Sequence, residues 1–438
     1  MKKFLKEKII EPILKLAASS MLKKHQPEII GITGSVGKTS IKDAVACVLS
    51  KRFSVLSAPR SYNTKIGSPL TIFGENVPVP VTSPLGWLKV IFSCFLKFLV
   101  EKDYPKILIL EMGIEEPGEM NYYLSFIRPK IGIITAVGEA HLLGLKTKEK
   151  VASEKGLLPE NLPPSGLAIL NYDDPLVRKM AQRTKAKVLT YGFSSSADLW
   201  LSDLTSELSG TSFKVHFKEE EVSVLKFPLL GKHSLYSIMP AIICGLIYGM
   251  SLKKTIKALA DFRLPKGRMN LIAGIKESLI IDDSYNANPT SMISALEVLF
   301  AFPNGGRKIA ALGTMNELGD FEKEGHRKVG REAFKVADLL ITVGVPANRY
   351  LASEAKKAGF SPAKIFSFEN SYLAGKFLKN KIRKGDVILV KGSQNNVRME
   401  WLIEQIMANP QKAKDLLVRQ EKEWTKPPEL LLKASSEA

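Results

Sequence analysis

The stretch GITGSVGKTS, Gly31 to Ser40, governs how this chain is read. The common phosphate-binding loop, G-x-x-x-x-G-K-[ST], calls for a glycine five positions before Gly37, and that position holds Ile32. What remains is T-G-x-x-G-K-T. In it, Gly34 and Gly37 let successive backbone N–H groups converge on phosphate oxygens, Lys38 supplies a point charge, and Thr39 is a candidate Mg²⁺ ligand.

Working outward, PEIIGITGSVGKTSIKDAVACVLSKRF predicts strand, glycine loop and helix, the setting such a loop needs. KILILEMG (Lys106 to Gly113) and IGIITAVGEAH (Ile131 to His141) are apolar runs that end in polar residues. They predict buried parallel strands presenting side chains at their carboxyl ends. Between Asp198 and Pro228, alternating segments such as TSFKVHF predict an antiparallel layer. The uncharged run from Ser234 to Leu252 has the length of a membrane span, yet Pro240, Gly245, Gly249 and the lack of an aromatic belt favour a buried helix. FRLPKGRMNLI (Phe262 to Ile272) reads as a linker. Beyond it, SLIIDDSYNANP, RKIAALGTMNELG, ADLLITVG and DVILVKGSQ predict four strands alternating with helices, a second α/β unit. From Asn409 the chain is charged and proline-containing and reads as a tail.

At 438 residues, two or three domains are expected. The formal charge of +19 leaves three readings open: nucleic-acid binding, attraction to an anionic membrane face, or anionic substrates. The basic residues are dispersed and no aromatic-interleaved basic run offers base stacking, so a nucleic-acid partner is not expected. Cys47, Cys94 and Cys244 are too widely separated for a disulfide framework or a metal motif, which suits a reducing, cytoplasmic setting. The N-terminus opens like a signal peptide, but Glu7, Lys8, Glu11 and Lys15 interrupt any apolar core. Phe4, Ile9, Ile10, Ile13, Leu14, Leu16 and Leu22 instead predict a basic amphipathic helix, docked on the protein itself or lying on a membrane.

Taken together, polar residues at strand ends predict a phosphoryl-transfer site, Lys38 and Thr39 on the loop, Glu111 after one strand and His141 after the next; taken singly, the glutamate also reads as solvated or ion-paired and the histidine as a structural donor. Glu and His can hold a divalent metal that bridges phosphate oxygens.

The loop TGSVGKTS is followed in order by SYNTKIGSPLT (Ser61 to Thr71), LEMGIEEPGEM (Leu110 to Met120), TAVGEAHLLG (Thr135 to Gly144), SEKGLL (Ser153 to Leu158), GKHSLYS (Gly231 to Ser237), PKGRM (Pro265 to Met269), DDSYNANPTSM (Asp282 to Met292), LGTMNELGDFEKEGH (Leu312 to His326) and VKGSQNNVRME (Val390 to Glu400). This series resembles the Mur ligase family from about Gly31 to Met407, with DDSYNANP its most discriminating piece. The resemblance implies an α/β fold: a central P-loop-type parallel-sheet ATPase domain (29–262) followed by a Rossmann-like C-terminal α/β domain (263–408). An N-terminal basic amphipathic helix (1–28) precedes them and a charged tail (409–438) follows. It also implies an ATP-dependent acid–amino-acid ligase of cell-wall peptide type. ATP phosphorylates an acceptor carboxylate, an amine attacks the acyl phosphate, and phosphate leaves. The implied substrates are a muramoyl-peptide-like acceptor and a D-Ala-D-Ala-like amine. A lipid-linked or non-muramoyl acceptor is the alternative, and a nucleic-acid-binding P-loop ATPase the reading from another class.

By the same resemblance, Gly34, Ser35, Gly37, Lys38, Thr39 and Ser40 bind ATP, with Asp283 and Asn286 orienting the nucleotide or the amine. Two Mg²⁺ ions are implied, held by Thr39, Glu111, His141 and Lys155, the last as a lysine carbamate. Arg268 is implied to meet the phosphates as the domains close. Asn63, Thr64, Tyr285, Asn288, Lys391, Ser393 and Arg398 are implied substrate contacts, the last three as a basic cluster. The chain departs from the family at four points. Only 30 residues precede the loop, so the domain that grips a UDP-sugar is expected to be absent. Ser234 and Ser237 stand where asparagines are usual, Thr64 where a second asparagine is common, and Leu143 where a glutamate is. SPLGWLKVIFSCFLKFLVEKDYP (Ser83 to Pro105) predicts a helix with one polar lane, Lys89, Ser93, Lys97 and Glu101. Two arrangements are open: 84–104 packs on the helix within 1–25, or the pair rests on the inner membrane face.

Overall fold

Apolar runs without alternation build the first sheet. The computed structural model describes residues 6–78, 83–139, 142–207, 210–302, 305–421 and 424. Strands β1 (Glu28–Thr33), β2 (Val55–Ser57), β3 (Ile107–Glu111), β4 (Ile131–Ile134), β5 (Leu167–Asn171), β6 (Lys187–Gly192), β7 (Leu199–Glu207), β8 (Gly210–Phe217) and β9 (Glu220–Phe227) form one sheet in the order β2-β3-β1-β4-β5-β6-β7-β8-β9. Every residue of β3, β4 and β5 is buried, as parallel strands covered on both faces require. β1 pairs in parallel with β3 on one side and β4 on the other, placing Ile32 level with Glu111 and with Ile133. The chain runs from β1 out to β2, returns to β3, then crosses β1 to reach β4. The winding therefore reverses at β1, and a crevice opens beyond its carboxyl end. β8 and β9 pair antiparallel, as the alternating segment predicts.

Helices cover this sheet. α1 (Glu11–His25) buries Leu14, Ala18, Met21 and Leu22, packing with α3 (Gly67–Phe73) and α4 (Pro84–Val100); α2 (Lys38–Leu49) follows the phosphate loop. Ser83 caps α4, accepting from the Gly86 N–H at 3.0 Å, and Pro84 occupies the first turn, where its missing N–H costs nothing. α1 and α4 touch through Lys24, which donates to the carbonyls of Phe98 and, at 3.1 Å, Glu101. The middle of the polar lane, Ser93 and Lys97, turns inward, while Lys89 stays exposed. Ser93 donates to Glu75 at 2.6 Å, and Lys97 lies 2.7 Å from the same carboxylate and 2.8 Å from the Phe73 carbonyl. α5 (Lys148–Glu160) packs on β1 and β4. The uncharged run contributes α6 (Met239–Ile247), buried from Met239 through Gly245; no described helix is long and apolar enough to cross a membrane.

The chain divides into two compact units, the first mainly 1–205, 211–228 and 234–263, the second 206–210, 229–233 and 264–438. In the second unit, β10 (Asn270–Ala273), β11 (Leu279–Asp283), β12 (Lys308–Gly313), β13 (Leu339–Val343), β14 (Ile365–Phe368) and β15 (Val387–Lys391) form a sheet in the order β10-β11-β15-β12-β13-β14. It is parallel apart from β10. Strand side chains alternate between faces. Ile281, Leu312 and Leu389 join one core with α7 (Pro289–Ala301) and α8 (Glu322–Val336), while Ile280, Ile309 and Ile388 join another with α9 (Ser371–Lys381) and α10 (Glu400–Ile406). The stretch that reads as a tail holds two short helical turns, Pro410–Lys412 and Ala413–Leu416, and buries Leu417 in the second core.

Candidate active site

The loop after β1 is shaped by two glycines. Gly37 has φ +81° at the N-terminus of α2. Gly34 has φ +147°, and a Cβ there would stand 1.8 Å from the Thr135 hydroxyl, so the position excludes every side chain. The loop is stitched to the segment after β4: Ser35 N–H donates to the Ala136 carbonyl at 2.8 Å, the Ser35 hydroxyl accepts from Gly138 N–H at 2.9 Å, and Thr135 donates to the Val36 carbonyl. Lys38 is buried and reaches back 2.6 Å to the Gly34 carbonyl. Ser40 is buried in the first turn of α2.

Below the loop three oxygens converge. The hydroxyls of Thr39 and Ser61 donate to Glu111 Oε2 at 3.2 and 3.1 Å and lie 3.3 Å from each other. The other carboxylate oxygen faces the fully buried Lys42 at 3.5 Å. Lys42 also meets Asp43 at 3.1 Å and donates to the carbonyls of Ala58 and, at 3.1 Å, Arg60. It thus clamps the 58–61 segment beside Glu111. A carboxylate with two hydroxyls is a hard-oxygen corner that fits Mg²⁺, an ion that takes one or two protein oxygens and completes its shell with phosphate and water. No group of three His, Cys, Asp or Glu occurs among the described residues, which such a site does not need.

Lys155, on α5, is fully buried, and its Nζ has no hydrogen-bond partner among the described residues. Burial first, then the charge of Lys38, hold its amine well below the ordinary lysine range, against a smaller upward pull from Glu154. A neutral amine is a nucleophile, and this one sits within the field of the phosphate-loop lysine. His141 lies outside the described residues. Asn63 contributes its backbone carbonyl, accepting from Gly113 N–H at 3.1 Å and the Tyr123 hydroxyl at 2.9 Å, and the Thr64 hydroxyl accepts from Gly67 N–H at 3.1 Å.

In the second unit, Asp283 ends β11 and Lys391 ends the adjacent β15, side by side in register. Their side chains pair at 2.6 Å, and Lys391 also donates to the Asn286 carbonyl at 2.9 Å. Asn286 Oδ1 accepts from Ala287 N–H at 2.9 Å and from Gln394 N–H at 3.3 Å, while Ser393 donates to the Ala287 carbonyl at 3.1 Å. Asn288 caps α7, its Oδ1 accepting from Ser291 N–H at 2.9 Å. Arg268 lies over the Tyr285 ring at 4.3 Å. Arg398, expected to cluster with Lys391 and Ser393, instead pairs with the buried Glu400, stacks over Trp401 at 4.3 Å and donates to the Trp424 carbonyl at 2.8 Å.

Sequence reasoning passes over Lys42, Ser61, Glu400 and Arg419. The first has a signal, its spacing of four from Lys38 on one helix face, and the second opens the SYNTKIG motif. Arg419 falls in the stretch that reads as a tail. It bonds Glu400 at 3.0 Å and the Tyr285 carbonyl, and lies over the Tyr285 ring at 5.6 Å.

The chain is similar to known proteins in sequence and fold. Residues 93–245 match the Mur ligase middle domain and residues 267–394 the Mur ligase glutamate ligase domain. The UDP-N-acetylmuramoyl-tripeptide--D-alanyl-D-alanine ligase of Bacillus subtilis is 29% identical over 91% of this chain and 79% of its own length. The ligase of the same name from Mycobacterium leprae is 31% identical over 84% and 71%. Among solved structures, MurF from Thermotoga maritima in complex with ADP is similar with a TM-score of 0.73 at 25% identity, covering 93% of this chain and 84% of that one.

Proposed function

The chain belongs to the Mur ligase family, and from that premise we propose that it is an ATP-dependent ligase joining a D-Ala-D-Ala-like amine to a muramoyl-peptide carboxylate. The observation that carries the reading is the convergence of Thr39, Ser61 and Glu111 at the foot of the phosphate loop, with the buried amine of Lys155 nearby in charge. In the reaction, the acceptor carboxylate attacks the γ-phosphorus of ATP, ADP departs, the amine attacks the acyl carbon, and phosphate leaves as the amide forms. Loop N–H groups, Ser35 and Ser40 cradle the phosphates, and Lys38 neutralises their charge. Thr39, Ser61 and Glu111 would hold Mg²⁺, which would supply a Lewis acid toward phosphate oxygens when bound. By the family resemblance, His141 would serve a second Mg²⁺.

Lys155 acts as a carbamate. Its amine, in the neutral form that burial favours, adds to CO₂, forming N–C and releasing one proton, so a buried neutral group is replaced by an anion that the charge of Lys38 favours. In the second unit, Asp283, Asn286, Tyr285, Lys391 and Arg268 are the groups for nucleotide or amine, with Ser393 holding the loop that carries Asn286. The free Cys47, Cys94 and Cys244 fit a cytoplasmic setting.

The test is phosphate release from ATP with UDP-N-acetylmuramoyl-tripeptide, D-Ala-D-Ala and bicarbonate, comparing the native chain with Lys155→Ala. Turnover that needs both substrates and is lost in the variant supports the reading; a carbon-13 carbamate signal from labelled bicarbonate checks the modification separately. Absence of turnover with ATP still bound favours a second reading, a lipid-linked carboxylate acceptor, which the outward apolar face of α4 recommends.

A further inference from the structure

α4 is built inside out. Ser93 and Lys97 point into the protein toward Glu75, beside Trp87, Val90 and Cys94, and the opposite face carries Leu85, Leu88, Phe92, Phe95 and Leu99, each 54–71% exposed. These five recur at steps of three and four residues, one unbroken stripe from Leu85 to Leu99 along most of the 17-residue helix, about 22 Å. Ile9, Ile13 and Leu16, on the N-terminal segment that packs against α4, are exposed too. Contiguous apolar patches beyond a few hundred Å², roughly, are uncommon on monomers and mark sites of contact.

Charge selects the occupant. Lys89 is exposed alongside the stripe, Lys102 and Lys106 follow its C-terminal end, and Lys8, Lys23 and Lys24 are exposed on the neighbouring segment. Residues 1–25 hold seven lysines against two glutamates, within a chain of net charge +19. A second copy docking face to face would bring these lysines against their own kind. The apolar surface is a convex helix face rather than a groove, and α4 is too short to span. We propose that α4 and the adjoining N-terminal segment form a peripheral docking surface for an anionic lipid bilayer, with the phenylalanines and leucines at the acyl boundary and the lysines among headgroups.

The full chain is floated with vesicles of phosphatidylglycerol and phosphatidylcholine, and with phosphatidylcholine alone, while its mass is followed by light scattering over a concentration series. Binding is expected to be at least roughly tenfold tighter on the anionic vesicles and weakened by salt. Phe92→Ser with Phe95→Ser is expected to lose it by roughly tenfold or more, with ATP binding and melting unchanged. Lys89→Glu with Lys102→Glu is expected to weaken only the anionic component. The proposal is overturned if the native chain ignores anionic vesicles at low salt, if binding survives the phenylalanine change, or if that change abolishes a dimer and nothing else. The vesicles contain no acceptor, so this outcome is separate from success or failure of the ligase assay.

Discussion

An amine buried without a partner destabilises the fold that holds it, and Lys155 does so next to a second lysine charge. Its depressed pKa means that the unfolded chain binds a proton the folded chain does not. Without bicarbonate, stability is therefore expected to rise with pH toward the ordinary lysine value. Lys155→Met should remove that slope and raise the urea midpoint at neutral pH while abolishing turnover; a lower midpoint would contradict the assignment of strain to this amine. Asp282 has the opposite sign. It is fully buried, its pKa raised to about 7 chiefly by desolvation and further by Asp283 and Glu400, against a hydrogen bond from the Ser284 N–H. The folded state holds the extra proton, so this contribution is complete below the ordinary value of 3.8 and is lost as pH rises through about 7. Asp282→Asn should flatten that loss, a gain of at most about 4 kcal/mol in unfolding free energy at mildly alkaline pH relative to the native chain. Motif and strand-end position make Thr39 and Glu111 legible from sequence. Lys42 and Ser61 carry only weak signals, a spacing and a place in a motif, because their meeting with Glu111 depends on how α2 and the 58–61 segment fold against β3.

At the scale of elements, the strands of the second unit are legible because each is an uninterrupted apolar run; β10 and β14 escape notice as edge strands of four residues, only partly buried. The direction faced by α4 is illegible for a different reason. Sequence shows a lane of polar residues and a broad apolar remainder, which leaves open packing on the N-terminal helix or rest on a membrane face. Glu75, eight residues before the cap, decides which face turns in by offering Ser93 and Lys97 a carboxylate in the interior. Glu75→Ala should therefore cost about 2 kcal/mol, the range for lost hydrogen bonds to a charged group, and loosen α4, which hydrogen exchange across 84–100 would register. If exchange there were unchanged, the inward lane would not be what holds the helix.

For the whole molecule, the reversal of winding at β1 gathers the loop, Glu111 and the Thr135 segment at one sheet edge, and the domain order read from sequence follows from the same strand pattern. Mg²⁺ with ADP should raise the melting point, with a stabilisation of about 2.7 kcal/mol at a hundredfold excess over Kd. Gly34→Ala should abolish that gain, since the added carbon would collide with Thr135. An equal gain in the variant would place the nucleotide elsewhere. The outward stripe of α4 has a practical corollary at the bench. A fluorescent dye that lights up on greasy surfaces will already glow on the intact fold, and an unfolding curve followed that way starts from a raised baseline that conceals the true transition. Sulfate-rich precipitants, which strengthen such contacts, will drive the native chain into reversible clusters that a mild detergent disperses.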